Sequence, residues 1–316
     1  MSLPLVIVNP ASASGTTGKI WPRVASDLRS GFGPFKIEFT DEPGGATAIA
    51  KRAAQQGNRF IIACGGDGTI SEVANGILES GKDAELGILP SGTGGDFRRT
   101  LEIPSDTRSA AKVLRNGKSR RIDVGRVTFS SETGSEITRY FLGVASCGMS
   151  TKVIERVKTG GPEWLPGSTS QWLSGRVSFG ASLVQTAMQS EPTRVVVQVD
   201  DDHERKLSIS NLCIANARYF GGGMRFAPDA KLTDGKFDLI SVGDLGVIKI
   251  VTSAPRLYSG SHLSMPEVSH ALARRVVVCS ASDGPPVDLE IDGELLGRLP
   301  ATFQVVPKAL LVRCNA

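Results

Sequence analysis

The 316-residue sequence predicts two fold classes in series: an α/β unit on a parallel sheet, then a β-rich unit of antiparallel sandwich or barrel type. Three observations predict this. Apolar runs alternate with helical stretches in the first third. Short β runs separated by turn residues fill most of the rest. The change of character lies near residues 122–126, which sets the domains at 1–125 and 126–307.

Residues 3–10 form a short apolar run ending in a turn, and residues 35–40 alternate in the manner of a strand. Residues 46–56 are Ala-rich and helical, stopped by Gly57. Residues 59–68 are an apolar run closed by glycines. Ile70, Val73, Ala74, Ile77 and Leu78 then fall at i, i+3, i+4, i+7 and i+8, one apolar helix face. Residues 85–93 read as another buried strand. This order gives βαβ units and hence a parallel sheet. Further on, residues 193–217 read as two β runs joined by a polar turn. Shorter β runs follow at 236–242, 274–280, 287–292 and 301–306. Helical patches interrupt them at 168–189 and 247–258. No internal repeat stands out.

Composition removes several function classes. With 40% hydrophobic and 22% charged residues the chain can bury a core and is not a disordered one. Its 36 Lys and Arg against 32 Asp and Glu leave +4, with no long basic block, so nucleic acid is not an expected partner. An anionic substrate or membrane surface is compatible with it. Five scattered cysteines without a CxxC pair indicate neither a zinc site nor a disulfide framework. His203, His262 and His270 lack metal-ligand spacing. The first residues read as a strand, not as a signal peptide, and no run of 18 apolar residues exists to span a membrane. The expected location is cytoplasmic.

Gly65-Gly66-Asp67-Gly68-Thr69 lies between a buried strand and an amphipathic helix. Three glycines in four positions let the backbone approach a ligand closely. Backbone N–H groups and the helix N-terminus then face an anion, and phosphate is the natural guest. Asp67 would repel phosphate unless a cation intervenes, which points to metal-dependent phosphoryl transfer. The plainer alternative is a tight turn with Asp67 as a cap. The spacing matches neither GxGxxG nor the Walker loop.

Gly65–Thr69 followed by Ile70-Ser71-Glu72-Val73-Ala74-Asn75-Gly76 resembles the GGDGTxNEVxNG signature of the diacylglycerol kinase catalytic family. Asn9-Pro10, the segment Leu89–Phe97, Asp234-Gly235 and Asp292-Gly293-Glu294 resemble its other motifs in the same order. Ser71 and Gly95 depart from it, each standing where the family has Asn. The resemblance implies an N-terminal nucleotide domain like NAD kinase and phosphofructokinase, to which residues 308–316 return, and a β-rich lipid-substrate domain. It implies catalysis in the cleft between them. ATP would contact Asn9, Pro10, Ala11, Ser12, Ala13, Thr40, Gly65 to Glu72 (Gly65, Gly66, Asp67, Gly68, Thr69, Ile70, Ser71 and Glu72) and Thr93. Mg2+ would be held by Asp234 and the carbonyl oxygens of Lys231 and Lys236. Glu294 would accept the proton of a lipid hydroxyl, with Asp67, Asp123 and Asp292 as further catalytic candidates.

Other readings stay open. Asn9 and Ser12 are also ordinary turn formers, and Asp-Gly is ordinarily a hairpin turn. Asp123 suits a domain-junction cap as well as an acidic network with Asp67. Lys19 and Arg23 suit phosphate contacts or a solvated face. Trp164, Leu165 and Trp172, around the Gly/Pro-rich residues 160–167, fit a packed loop or the mouth of an acyl-chain pocket, for which residues 220–226 are a second candidate. The function expected is an ATP- and Mg2+-dependent lipid kinase acting on a lipid alcohol such as diacylglycerol. Membrane contact would be peripheral and reversible at the inner face, and a homodimer is compatible with the class. NAD kinase and a non-catalytic nucleotide or lipid sensor are the alternatives.

Overall fold

The computed structural model describes residues 3–91, 95–131, 134–158, 191–282 and 284–315, together with residues 182, 185 and 186. The chain divides into two compact units, Met1–Val124 with Pro307–Ala316 and Gly125–Val306.

In the first unit strand and helix alternate: β1 (Leu5–Val8), α1 (Thr16–Gly31), β2 (Lys36–Phe39), α2 (Gly45–Gln55), β3 (Phe60–Gly65), α3 (Asp67–Glu79), β4 (Glu85–Pro90), α4 (Asp96–Thr100) and α5 (Thr107–Asn116), before β5 (Lys118–Ser130) leads out. The strands β2-β1-β3-β4 lie side by side and parallel. β1, β3 and β4 are almost wholly buried, as continuous apolar runs covered by helices should be. The last residues of β15 (Glu294–Cys314) extend this sheet, Leu311 and Val312 pairing parallel with Glu85 and Leu86 of β4. Arg313 fastens that strand with two 2.7 Å bonds to the Glu85 carboxylate, which also accepts Ser119 Oγ at 2.6 Å.

The sequence expectations left out α1 and α5. α1 carries Pro22 in its interior, which argues against a helix, yet Trp21, Val24, Ala25 and Leu28 are buried along one face. Tertiary burial outweighs the local cost of the proline here. α5 is short, and the Asp106 carboxylate caps it by accepting Ser109 N–H at 2.9 Å.

The second unit comprises β6 (Glu136–Phe141), β7 (Val144–Gly148), α6 (Met149–Lys158), β8 (Thr193–Val199), β9 (Arg205–Ile209), β10 (Asn211–Ala215), β11 (Phe237–Val242), α7 (Val247–Ser259), β12 (Val268–Ala273), β13 (Arg275–Ser280), β14 (Asp288–Ile291) and most of β15. One ladder runs β12-β11-β10-β7-β14-β15 and another β9-β8-β13-β15, both antiparallel. Residues 193–217 thus hold three strands, not two, because the chain turns again at Ser210. The run 301–306 is one stretch of the longer β15. The helical patch expected at 168–189 lies outside the described residues apart from the three named above, as do Trp164, Leu165 and Trp172.

Side-chain alternation gives the first ladder two apolar faces. Ala145, Cys147, Leu212, Ile214, Leu239, Leu289 and Ile291 join one core. Val144, Cys213, Ala215 and Ile240 face the other way, toward Phe220, Met224 and Phe226.

Candidate functional site

In the first unit, β2 lies on one side of β1, while β3 and β4 follow on the other. The loops leaving β1 and β3 therefore stand at the point where strand order reverses, the position at which open α/β sheets bind ligands. Those loops are tied together. Asn9 Nδ2 donates to Thr69 Oγ1 at 3.1 Å, Ser12 Oγ lies 3.4 Å from the same oxygen, and Asn9 Oδ1 accepts Ala11 N–H at 3.0 Å. A Cβ at Gly65 would stand 2.4 Å from Thr69 Oγ1 and 3.0 Å from Ser12 Oγ, so only glycine fits there.

α1, α2, α3 and α4 all follow strands of this sheet at the same edge, and each begins after a glycine with no side-chain cap of its own: Gly15, Gly44, Gly66 and Gly95. Three of the four ends are satisfied from elsewhere. The turn before α1 supplies carbonyls of Ala11, Ala13, Ser12 and Pro10 to the amides of Gly15 to Gly18. The Glu72 carboxylate takes the amides of Gly44 and Ala46, each at 3.1 Å. The Asp67 carboxylate takes those of Gly95, Asp96 and Phe97 at 2.7, 3.0 and 3.1 Å. Among the described residues α3 keeps three successive open donors at its start: the amides of Asp67, Gly68 and Thr69 meet no protein acceptor. Three convergent N–H groups at the positive end of a helix make an anion site.

The expected nucleotide residues divide accordingly. Asn9, Pro10, Ala11, Ser12, Ala13, Gly65, Gly66, Asp67, Gly68 and Thr69 sit in or beside the two tied loops. Thr40 follows β2 at the same edge, buried, its N–H on Val8 O. Ile70 points into the core and its amide bonds Gly66 O, and Glu72 is occupied with α2. Ser71 lies in the first turn of α3 and passes its carbonyl to Asn75 Nδ2. Thr93 lies outside the described residues. Asp123 is buried in β5, and its carboxylate accepts Lys308 N–H at 2.8 Å, fixing the chain where it re-enters the first unit.

In the second unit Asp292-Gly293 closes a two-residue hairpin between Ile291 and Glu294, with φ of 49° and 88°. Left-handed backbone at both positions is the turn that suits strand twist. The Asp292 carboxylate accepts three amides, Leu142, Gly143 and Val144, at 2.9, 2.8 and 3.2 Å. Glu294 opens β15, half-buried. Asp292→Ala leaves those amides without their acceptor and is expected to lower unfolding stability by about 2–4 kcal/mol, measured by denaturant titration.

Asp234 is exposed and its Oδ1 accepts Lys236 N–H at 3.1 Å, so the turn orients its own carboxylate. Lys231 and Lys236, whose carbonyl oxygens are the other expected ligands, flank the turn that holds it. Desolvation raises the pKa of nearby Asp238, with Asp234 and Asp229 adding to the rise and the His270 ring at 2.8 Å opposing it.

Beneath α7 lies a cavity of about 80 Å³ walled by Phe220, Met224, Phe226, Val242, Leu257 and Met265. Its polar walls are few: Ser150, Ser210, Asn211, Ser253 and His262. His262 is 2% exposed, and burial lowers its pKa, which keeps it neutral at pH 7. Sequence reasoning pointed to Phe220–Phe226 but missed Ser146, Ser150 and Glu290. Their one available signal was polarity at alternate positions of otherwise apolar runs.

The family model for the diacylglycerol kinase catalytic domain matches residues 4–127, and the YegS C-terminal NAD kinase beta sandwich-like domain matches residues 166–314. A diacylglycerol kinase of Staphylococcus saprophyticus is 30% identical over 302 residues, covering 94% of this chain and 90% of the relative. That of Staphylococcus carnosus is 31% identical over 305 residues, with the same coverage. The crystal structure of a diacylglycerol kinase from Bacillus anthracis str. Sterne superposes with a TM-score of 0.72 at 22% identity, over 99% of this chain and 97% of that one.

Proposed function

We propose, from the premise that this chain belongs to the diacylglycerol kinase family and is a lipid kinase, that it transfers the γ-phosphoryl group of ATP, with Mg2+, to the hydroxyl of diacylglycerol or a related lipid. The observation that carries this reading is the set of three successive open amides at Asp67, Gly68 and Thr69, at the start of the helix that follows the glycine loop. Asn9, Ser12 and Thr69 hold the β1 loop against it, so phosphate oxygens meet fixed donors. Mg2+, when bound, neutralises phosphate charge. Asp234 with the carbonyls of Lys231 and Lys236 would hold a cation in the second unit. The cavity beneath α7 suits an acyl chain, being apolar and uncharged. Glu294 takes the proton of the lipid hydroxyl as its oxygen bonds to the γ-phosphorus and the bond to the β-phosphate oxygen breaks.

The deciding experiment is a labelled-ATP assay over a panel of lipid alcohols and NAD in detergent micelles. Labelled lipid with unlabelled NAD is expected. Labelled NAD alone would make the chain an NAD kinase, and ATP binding without transfer would make it a sensor.

Among the described residues no helix is long and apolar enough to cross a membrane. Peripheral contact has a surface available in α7, which buries no residue and presents Val247, Ile248, Val251 and Tyr258 outward, Ile248 at 81% exposure. Lys249, which pairs with the Glu267 carboxylate, and Arg256 lie on the far side of the helix, the polar side of an interfacial pattern. Co-sedimentation with phosphatidylglycerol vesicles is expected at low salt and lost at high salt, and weakened by Ile248→Glu. Salt-resistant binding released only by detergent would contradict it.

A further inference from the structure

Glu290 is fully buried on β14, facing the side of the sheet that carries the cavity, and nothing in the reaction above uses it. One carboxylate oxygen accepts Gly293 N–H, within the turn that presents Glu294. The other accepts the Ser146 hydroxyl. Ser146 Oγ in turn lies 2.8 Å from Ser150 Oγ, and Ser150 stands in the cavity wall. The Ser150 backbone is itself fixed, its N–H on Asn211 Oδ1 at 3.0 Å.

Ionised, Glu290 can only accept, and this sets the direction of the relay. A hydroxyl has one proton. Ser146 spends its proton on Glu290, so the Ser146–Ser150 bond must be donated by Ser150. Ser150 then has no proton left and offers only lone pairs to the cavity. We propose that Ser150 Oγ is the specificity-determining acceptor of the lipid cavity, selecting ligands that place a hydroxyl or amide N–H there. An ester or ether oxygen at that point would face lone pairs and leave the site unsatisfied, so a diacylglycerol would satisfy it only by turning its hydroxyl, and not an ester, toward Ser150. This rests on the reading of the cavity as the lipid site.

Paired probes test it on the full chain without nucleotide: labelled dodecan-1-ol and its methyl ether, 1-methoxydodecane, bound from the same detergent micelles. The wild type is expected to favour the alcohol by about 10–100-fold, the cost of leaving a buried polar group unpaired. Ser150→Ala should bind both equally, keeping affinity for the ether. Glu290→Gln makes a sharper demand. Gly293 N–H must still meet the amide oxygen, so the amide NH2 faces Ser146 and donates to it. The relay then runs outward, Ser150 presents its proton, and preference for the alcohol should vanish or reverse. A merely structural role for Glu290 would weaken both ligands together. Equal binding of both probes by the wild type, or an undiminished preference in folded Ser150→Ala, overturns the acceptor assignment alone. Failure to bind either probe, or binding untouched by the cavity-filling Leu257→Trp, overturns the cavity reading beneath it.

Discussion

Glu294→Gln is expected to slow phosphoryl transfer by about 10²–10⁴-fold while leaving ATP binding and the fold in place. The substitution preserves shape and hydrogen bonding and removes only the ability to take a proton. Glu294 is the first residue of β15, immediately after a turn whose geometry is set three ways: left-handed backbone at Asp292 and Gly293, three amides on the Asp292 carboxylate, and Gly293 N–H on Glu290. A side chain so placed loses little freedom when it acts. Single-turnover rates with the lipid substrate, beside ATP affinity and a melting curve, provide the check. A folded Glu294→Gln protein near wild-type rate would remove it from the reaction. Asp292→Asn would not separate the two carboxylates as bases, since it alters one already committed to three amides.

Asp67→Ala is expected to cost about 10²–10³-fold in turnover. The sequence suggested that this carboxylate acts through a cation. In the structure it accepts the amides of Gly95, Asp96 and Phe97, which ties the start of α4 to the glycine loop. Loss of the side chain would free that segment at the edge of the anion site while the β3–α3 core, Ile61, Ile62, Ile70 and Val73, stays packed. Asp67→Asn should behave like Asp67→Ala, because its NH2 would oppose a backbone donor. Steady-state kinetics with denaturant unfolding of both variants will show it; near-wild-type turnover in a folded Asp67→Ala protein would sink the argument.

Much of the first unit was legible because its strands are unbroken apolar runs and its glycine loop follows one of them directly. Periodicity at Ile70, Val73, Ala74 and Ile77 was enough for α3. α1 was hidden by Pro22, and β7 and β12 by small and polar residues whose partners lie far along the chain. Asp67 could be marked from its glycine loop, and Asp292 from the family motif that Asp292-Gly293-Glu294 resembles. That each carboxylate gathers three amides from a distant segment could not, because such bonds depend on backbone placed by the whole fold. Glu290 was passed over for the same reason: a carboxylate in a β run reads as a solvated position until the strands on either side are known.

β15 carries a consequence for biosynthesis. The parallel sheet of the first unit has β4 flanked by Leu311 and Val312, which leave the ribosome long after β1 to β4. Until then the nascent chain holds a hydrogen-bonding edge along β4 with no neighbour, and Glu85 without Arg313. An open strand edge is a template for pairing with other chains. Translation from Gly125 onward therefore proceeds with the earlier unit one strand short, and at an elongation rate of about 5–20 residues per second that interval lasts on the order of 10 s or more. Pausing within the second half of the message should raise aggregation more than pausing within the first.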